Sequence, residues 1–183
     1  GSRIRSIDQV ESLARTNPEI VLTKVWDRSE NSFGFSLNKE PFDDLRVRQA
    51  MNMSLDHETI NATYFKGYGN WEPQGRVSSN MTAYTTPFAE WPEEVKKYYT
   101  YDPEGAEALL DAAGLPRGAD GIRFKTTLNS EERYDLNYHE LVAGYLREIG
   151  MQVEIIQTDH AAASARRNAM EFEGFWAWPM AYR

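Results

Sequence analysis

The chain has 183 residues, enough for one domain with a real core and short for two. Its balance of 41% hydrophobic and 26% charged residues is that of a globular protein, and no apolar run approaches the ~20 residues a membrane span needs. A net charge of −8 argues against a nucleic-acid partner, and the absence of cysteine excludes disulfides, thiolate metal sites and a cysteine nucleophile together.

Gly1-Ser2 has the form of a scar left by tag cleavage, so residues 3–183 are expected to be the natural part, with the native start missing. Ile7, Val10, Leu13 and Ala14 then stand at helical spacing, with Ser6 as a cap and Asn17-Pro18 as the stop. Ile20 to Trp26 reads as a strand and Asp27 to Asn31 as a polar turn. Phe33, Phe35 and Leu37 alternate with other residues, giving a second strand with one buried face. Pro41 to Gly67 reads as two helices separated by one break. Asp43 or Asp44 caps the first, which buries Val47, Ala50 and Met51. Asp56 caps the second, Ile60 and Tyr64 form its apolar face, and Gly67 stops it.

After Gly67 periodicity fails for about thirty residues, a length that implies either function or pinning by aromatic side chains such as Trp71, Tyr84, Phe88 and Trp91. Asp102-Pro103 then starts a helix with Ala106, Leu109, Leu110 and Ala113 as its stripe and Gly114 as its end. Ile122 to Leu128 is a strand, Asn129 to Glu132 a polar loop, Asp135 to Ile149 a helix and Met151 to Gln157 a strand. Thr158 or Asp159 caps a short helix through Met170, and Phe172 to Trp178 closes as a strand. Two strand–helix–strand units imply crossovers of one hand and a mixed sheet with a parallel centre.

Three of these runs resemble the family 5 extracellular solute-binding proteins, the peptide- and nickel-binding receptors of bacterial and archaeal ABC importers. The first is Pro41-Phe-Asp-Asp with Arg46-Val-Arg-Gln-Ala and the Leu55-Asp-x-Glu restart; Met51-Asn-Met-Ser-Leu stands where Leu-Asn-Tyr-Ala-Ile is common. The second, Tyr101 to Pro116, is nearly intact, and the third spans Leu146 to Ile155. The resemblance extends over residues 4 to 178. It implies a three-layer α/β lobe of the type II periplasmic-binding-protein-like fold, with a mixed sheet and helices on both faces. Residues 3–183 are then expected to be one C-terminal-type lobe of a two-lobed protein, truncated at both ends. The implied partners are a peptide or small organic solute, the missing lobe and ABC permease subunits, in the periplasm or outside the cell. A lipid anchor on the missing N-terminus is compatible with this.

For the ligand site, open α/β sheets bind at the carboxyl ends of their parallel strands. Those ends present Asn129-Ser130, Thr158-Asp159 and Trp176-Ala177-Trp178. The resemblance implies that the Trp-rich segment lies beside the hinge and touches ligand. The expected ligand-binding residues are therefore Trp176, Trp178, Asn129, Ser130 and Trp71, with at least one of Trp176 and Trp178 serving the core. The acidic residue that holds a peptide's amino terminus in some relatives is missing after Trp178, which favours a neutral or stacking solute.

None of His57, His139 and His160 has neighbours at metal-ligand spacing, and no P-loop, G-x-G-x-x-G or G-x-S-x-G occurs, so neither a metal nor a cofactor is expected. The pairs Glu93-Glu94 and Glu131-Glu132 read as solvated faces. A rival reading is a small α/β hydrolase-like enzyme domain using Asp135 or His139, and it lacks a nucleophile motif. A third is an interaction module that docks through its acidic surface.

Overall fold

The computed structural model describes residues 7–21, 29–73 and 83–181, with residues 29–30 and 178–181 described by their backbone alone. Helix α1 (Ile7–Thr16) buries no residue and is tied to the rest by Lys66, whose ammonium meets Asp8 and Glu11 at 2.8 Å each. Strand β1 runs over Ser29–Phe35. Asp44 is the cap of α2 (Leu45–Met53), accepting from the Arg46 N–H at 2.8 Å, and Val47, Ala50 and Met51 are buried as their spacing predicts. Asp56 caps α3 (His57–Thr63) through the Thr59 N–H.

The stretch before Tyr101 is partly ordered by its own rings. A 3-10 turn at Phe88–Glu90, the short α4 (Glu93–Lys96) and a second 3-10 turn at Lys97–Tyr99 bring Trp91 edge-on to both Phe88 and Tyr99. Asp102 caps α5 (Pro103–Ala112) by accepting from the Gly105 N–H at 2.9 Å, while its own N–H donates to the Met53 carbonyl. A Cβ on Gly105 would lie 2.2 Å from the Asp102 carboxylate and 2.8 Å from the Met53 side chain, so glycine permits this close seam between α5 and the end of α2.

Strand β2 (Phe124–Glu131), helix α6 (Leu136–Glu148), strand β3 (Met151–Thr158), helix α7 (His160–Asn168) and strand β4 (Phe175–Ala181) complete the chain. The sheet order is β1-β4-β2-β3, with β1 antiparallel to β4 and the other pairs parallel. The chain steps outward from β2 to β3 and then back over β2 to β4. Two crossovers of the same hand that run in opposite directions must lie on opposite faces. Accordingly Val142 and Leu146 of α6 share the main core with Leu128 and Phe175, while Ala163 of α7 packs with Phe172 and Trp176 in a smaller core on the other face. Helices α2 and α5 extend the main core through Val47, Ala50, Ala106 and Leu110. This is the mixed, three-layer α/β architecture that the sequence implies.

Several boundaries differ from the sequence reading, each through a tertiary contact. Ile20 and Val21 are exposed and outside any strand, while the rest of that expected strand, like Ser6, lies outside the described residues. β1 starts at Ser29, inside the expected turn, because the ladder to β4 pairs every residue from Ser29 to Phe35. Leu37 is accordingly left exposed beyond the strand. β2 continues through Asn129, Ser130 and Glu131, which read as a loop, because β3 pairs with each of them. β4 begins three residues late: Gly174 sits at φ 73° against the Thr127 backbone, where a Cβ would come within 2.1 Å of the carbonyl oxygen. α7 stops at Asn168, before Met170 turns to φ 56°.

Candidate functional site

Alternation along β2 points Thr127, Asn129 and Glu131 toward the α7 face, and Leu128 and Ser130 toward α6. On the α7 face Asn129 is buried. Its amide donates to the carbonyls of Glu173 at 2.7 Å and Phe175 at 3.2 Å, and its oxygen accepts from Arg166 at 3.4 Å. It thereby stitches the turn before β4 to β2. Ser130 is buried on the opposite face, where its hydroxyl accepts from Gln157 Nε2 at 3.2 Å, and that amide also reaches the carbonyl of Tyr134.

Trp176 lies beside Asn129 in the β2–β4 register and is 2% exposed, edge-on to Phe172 with ring centroids 5.5 Å apart. Among the described residues its indole N–H has no hydrogen-bond partner. Trp178 pairs through its backbone with Ser32, and its side chain lies outside the described residues. Trp71, in the loop after α3, is 36% exposed and stands apart from this group in the chain. Asn129 and Trp176 are thus neighbours on the α7 face with Ser130 on the other, and Trp176, the second residue of β4, stands at the amino start of its strand and not at the carboxyl end expected from the sequence.

The groups that occupy the carboxyl end of β2 itself are charged. Glu131 is 1% exposed, and its Oε2 is met by Arg133 Nε at 2.6 Å and His160 Nδ1 at 2.8 Å. Its Oε1 is met by Arg167 Nη1 at 3.3 Å. Burial alone would push this carboxyl upward, but the hydrogen bond to His160 and the two guanidiniums outweigh it and hold the group below the usual range. One carboxylate therefore faces two guanidiniums and an imidazole. Glu132 and Asp159 lie beside this group in the chain, so the excess of cations is confined to the immediate partners of Glu131.

Glu131 is a correction to the solvated reading of Glu131-Glu132: only Glu132 is exposed. Arg133, His160 and Arg167 carried a faint signal, since His160 and Arg167 lie two helical turns apart on one face of α7. The carboxylate that joins them is next to Arg133 in the chain but comes to His160 and Arg167 from a remote strand.

The residues of the hydrolase reading are committed elsewhere. Asp135 caps α6 through the Asn137 N–H and accepts from the Tyr64 hydroxyl. His139 is buried in α6, where desolvation pushes its imidazole down despite Asp135 nearby. Among the described residues no group of three or more metal-ligating side chains occurs, and no helix is long and apolar enough to cross a membrane.

Comparison with known proteins places this geometry in context. The family of bacterial extracellular solute-binding proteins, family 5 Middle, matches residues 3–182. The glutathione-binding protein GsiB of Pectobacterium atrosepticum is 29% identical over 141 residues, which is 76% of this chain and 24% of that protein. The heme-binding protein A of Haemophilus influenzae is 24% identical over 90% of this chain and 29% of its own length. The chain thus spans 24% and 29% of the length of these two relatives. Among solved structures, the dipeptide-binding protein of Pseudoalteromonas in complex with Met-Leu superposes with a TM-score of 0.77 at 22% identity, over 96% of this chain and 33% of that one. The periplasmic binding protein DppA of Helicobacter pylori in complex with the peptide STSA gives 0.75 at 22%, over 94% and 31%. At these identities the likeness is one of fold.

Proposed function

Since the chain belongs to family 5 of the bacterial extracellular solute-binding proteins, we propose that it forms one wall of a two-lobed receptor that delivers a solute to an ABC importer. One observation carries the solute class: the carboxyl end of β2 gathers Arg133, Arg167 and His160 around a single buried carboxylate. Ligands of open α/β sheets settle at this end. Two guanidiniums there suit a carboxylate or another anionic group, in place of the neutral or stacking solute expected from the sequence, because the planar fork matches it with paired N–H donors. Glutathione and heme, for which the two curated relatives are named, both carry carboxylates.

In this reading Asn129 and Ser130 act from behind the wall, holding β4 and Gln157 in place. Trp176 backs the wall, and Trp178 and Trp71 are the aromatic contacts for the apolar part of the solute. The lobe binds and does no chemistry. It works outside the cytoplasm, with or without a lipid anchor, and its partners are the solute, the remaining lobe and the permease subunits. Hinge closure of the two lobes over the solute is the signal the transporter reads.

The test is one of completeness. Pockets typically enclose roughly 70–90% of a small ligand, and one wall offers about half of that contact. Each ~1.4 kcal/mol is tenfold in affinity. A thermal-shift screen of the intact receptor against peptides, sugars and metal complexes identifies the solute, and calorimetry then compares the receptor with this chain. The chain is expected to bind at least roughly a thousandfold more weakly. Comparable affinities would mean that residues 1–183 hold a complete site.

A further inference from the structure

The turn from α7 into β4 is held by two cations. Lys39 Nζ donates to the carbonyls of Phe172 at 2.9 Å and Met170 at 3.5 Å, and Arg166 Nε donates to that of Glu171 at 3.4 Å. A second Arg166 N–H reaches the Asn129 side-chain oxygen, also at 3.4 Å. These bonds fix where the two cations stand and use only part of them. Among the described residues, three of the five N–H groups of Arg166 and one of the three of Lys39 have no acceptor.

Both cations line a groove of about 420 Å³, a volume within the roughly 300–1,000 Å³ of small-molecule sites. It lies at the margin of the cover that α7 gives its face of the sheet: Ile156 shares that face through its register with Asn129, and Lys125 and Gln152, further down the same face, are exposed. Ile156 and Phe172 are the apolar part of the lining, and Glu171 and Glu173 join Lys39 and Arg166 in the charged part. Among the described residues none of these four charges forms an ion pair. Opposite charges within reach of one another on flexible stems would pair, so two of each sign are held apart around one groove. Such a surface is complemented by a ligand that carries both signs on one small frame.

We propose that this groove is a second binding site, for a small zwitterion of the α-amino acid class: Arg166 and Lys39 take the carboxylate, Glu171 and Glu173 the ammonium group, and Ile156 and Phe172 the apolar side chain. A guanidinium with three N–H groups to spare offers a carboxylate paired donors, and ionised carboxylates offer an ammonium group acceptors alone. Because the cations are already tied to the carbonyls of the turn, little ordering remains to be done when the ligand arrives. Thr127, which also lines the groove, precedes Glu131 by four residues on the same face, about 13 Å by strand rise. The site is therefore separate from the strand end and does not rest on the receptor-wall reading.

The experiment uses the 183-residue chain and NMR, with leucine as the probe and two truncated analogues as controls. 4-Methylpentanoate keeps the carboxylate and the apolar chain without the ammonium group, and 3-methylbutylamine keeps the ammonium group without the carboxylate. Leucine is expected to shift the signals of Thr127, Ile156 and Phe172. It should bind about fivefold or more tightly than either analogue, the effect of one charge at contact distance in a partly solvated site. Arg166→Gln is expected to weaken both leucine and 4-methylpentanoate. The double variant Glu171→Gln/Glu173→Gln alters two exposed residues; it is expected to weaken leucine about fivefold and to leave 4-methylpentanoate as tight or tighter. An analogue that binds as tightly as leucine, or leucine binding that is unchanged in the double variant, overturns the zwitterion site. Leucine that shifts only signals around Glu131 and Arg133 belongs to the strand-end wall, and leucine that shifts no signal has no place in the groove; either result overturns the site as well.

Discussion

Two charged knots sit at opposite ends of strand β2 and are built from inverse parts. At its start the buried member is a cation. Arg123, with its side chain 2% exposed, meets Glu107 at 2.9 Å and Asp111, both from α5. Two further N–H groups donate to the carbonyls of Leu115 and Ile149. Arg117 pairs with Glu107 and reaches the carbonyls of Gly121 and Glu148. Two guanidiniums and two carboxylates leave no charge over. At the far end the buried member is an anion, Glu131, and the cations around it outnumber it. A balanced network that ends four of each arginine's five N–H groups on carbonyls or carboxylates has little left for a ligand, and serves as a joint between α5, β2 and α6. The unbalanced one leaves the Arg133 guanidinium half-exposed at the strand end, and it is the one we propose as a site.

The contrast breaks first at Arg123. Arg123→Met leaves Asp111 and two carbonyls without this donor and Glu107 with Arg117 alone, a class of loss worth about 3–5 kcal/mol when the partners stay buried. Glu107 and Asp111 are more than a third exposed and rehydrate, so the lower end, about 3 kcal/mol, is expected. For a chain of this size that lowers Tm by about 6–12 °C in a thermal melt. A loss below about 1 kcal/mol would mean that the start of β2 is held by packing alone.

Acid sharpens the same contrast. Hydrogen bonds from Arg117 and Arg123 hold the Glu107 carboxyl down at about 2, against its ordinary 4.5. A depressed carboxyl contributes stability that is complete above the unfolded value and is lost as pH falls through the folded one. The stability difference between wild type and Glu107→Gln, measured by urea unfolding, is therefore expected to be level from neutral pH down to about 4.5. It should then shrink toward nothing near 2. A difference that stays constant across this window would remove the linkage.

The smallest effect on stability belongs to the open knot. Arg133 has its side chain 51% exposed but its partner Glu131 only 1%, and His160 and Arg167 stay on Glu131 when it is removed, so Arg133→Gln is expected to cost about 1 kcal/mol, well below Arg123→Met, while weakening binding of a carboxylate probe severalfold. A stability loss equal to that of Arg123→Met would erase the distinction between joint and site.

Much of the scaffold is readable from neighbouring residues. Asp44, Asp56, Asp102, Asp135 and Asp159 each cap the helix that follows them, because a cap is a bond between a side chain and a backbone N–H two or three residues on. The left-handed stops at Gly67, Gly114 and Gly150 are equally local. The two strand–helix–strand units follow from apolar periodicity, and with them the mixed sheet. The resemblance to family 5 rests on the same local runs, for helix caps and stripes are what its signatures encode.

Where the polar strand ends go is a different kind of question. Asn129-Ser130-Glu131 has the composition of a loop, and local propensity favours that reading. The tertiary fold instead buries all three, because β3 completes the backbone ladder and partners for each side chain arrive from far along the chain: Glu173 and Phe175 for Asn129, Gln157 for Ser130, Arg167 and His160 for Glu131. A polar group enters a core only when something there bonds to it. The sequence by itself therefore determined the helices, their caps and the order of crossovers, each a matter of residues within a turn or two of one another. The fate of Glu131, and with it the strand end where a solute is expected to sit, was decided only when α7 folded back across β2 and set Arg167 and His160 against a carboxylate that nothing near it in the chain would have buried.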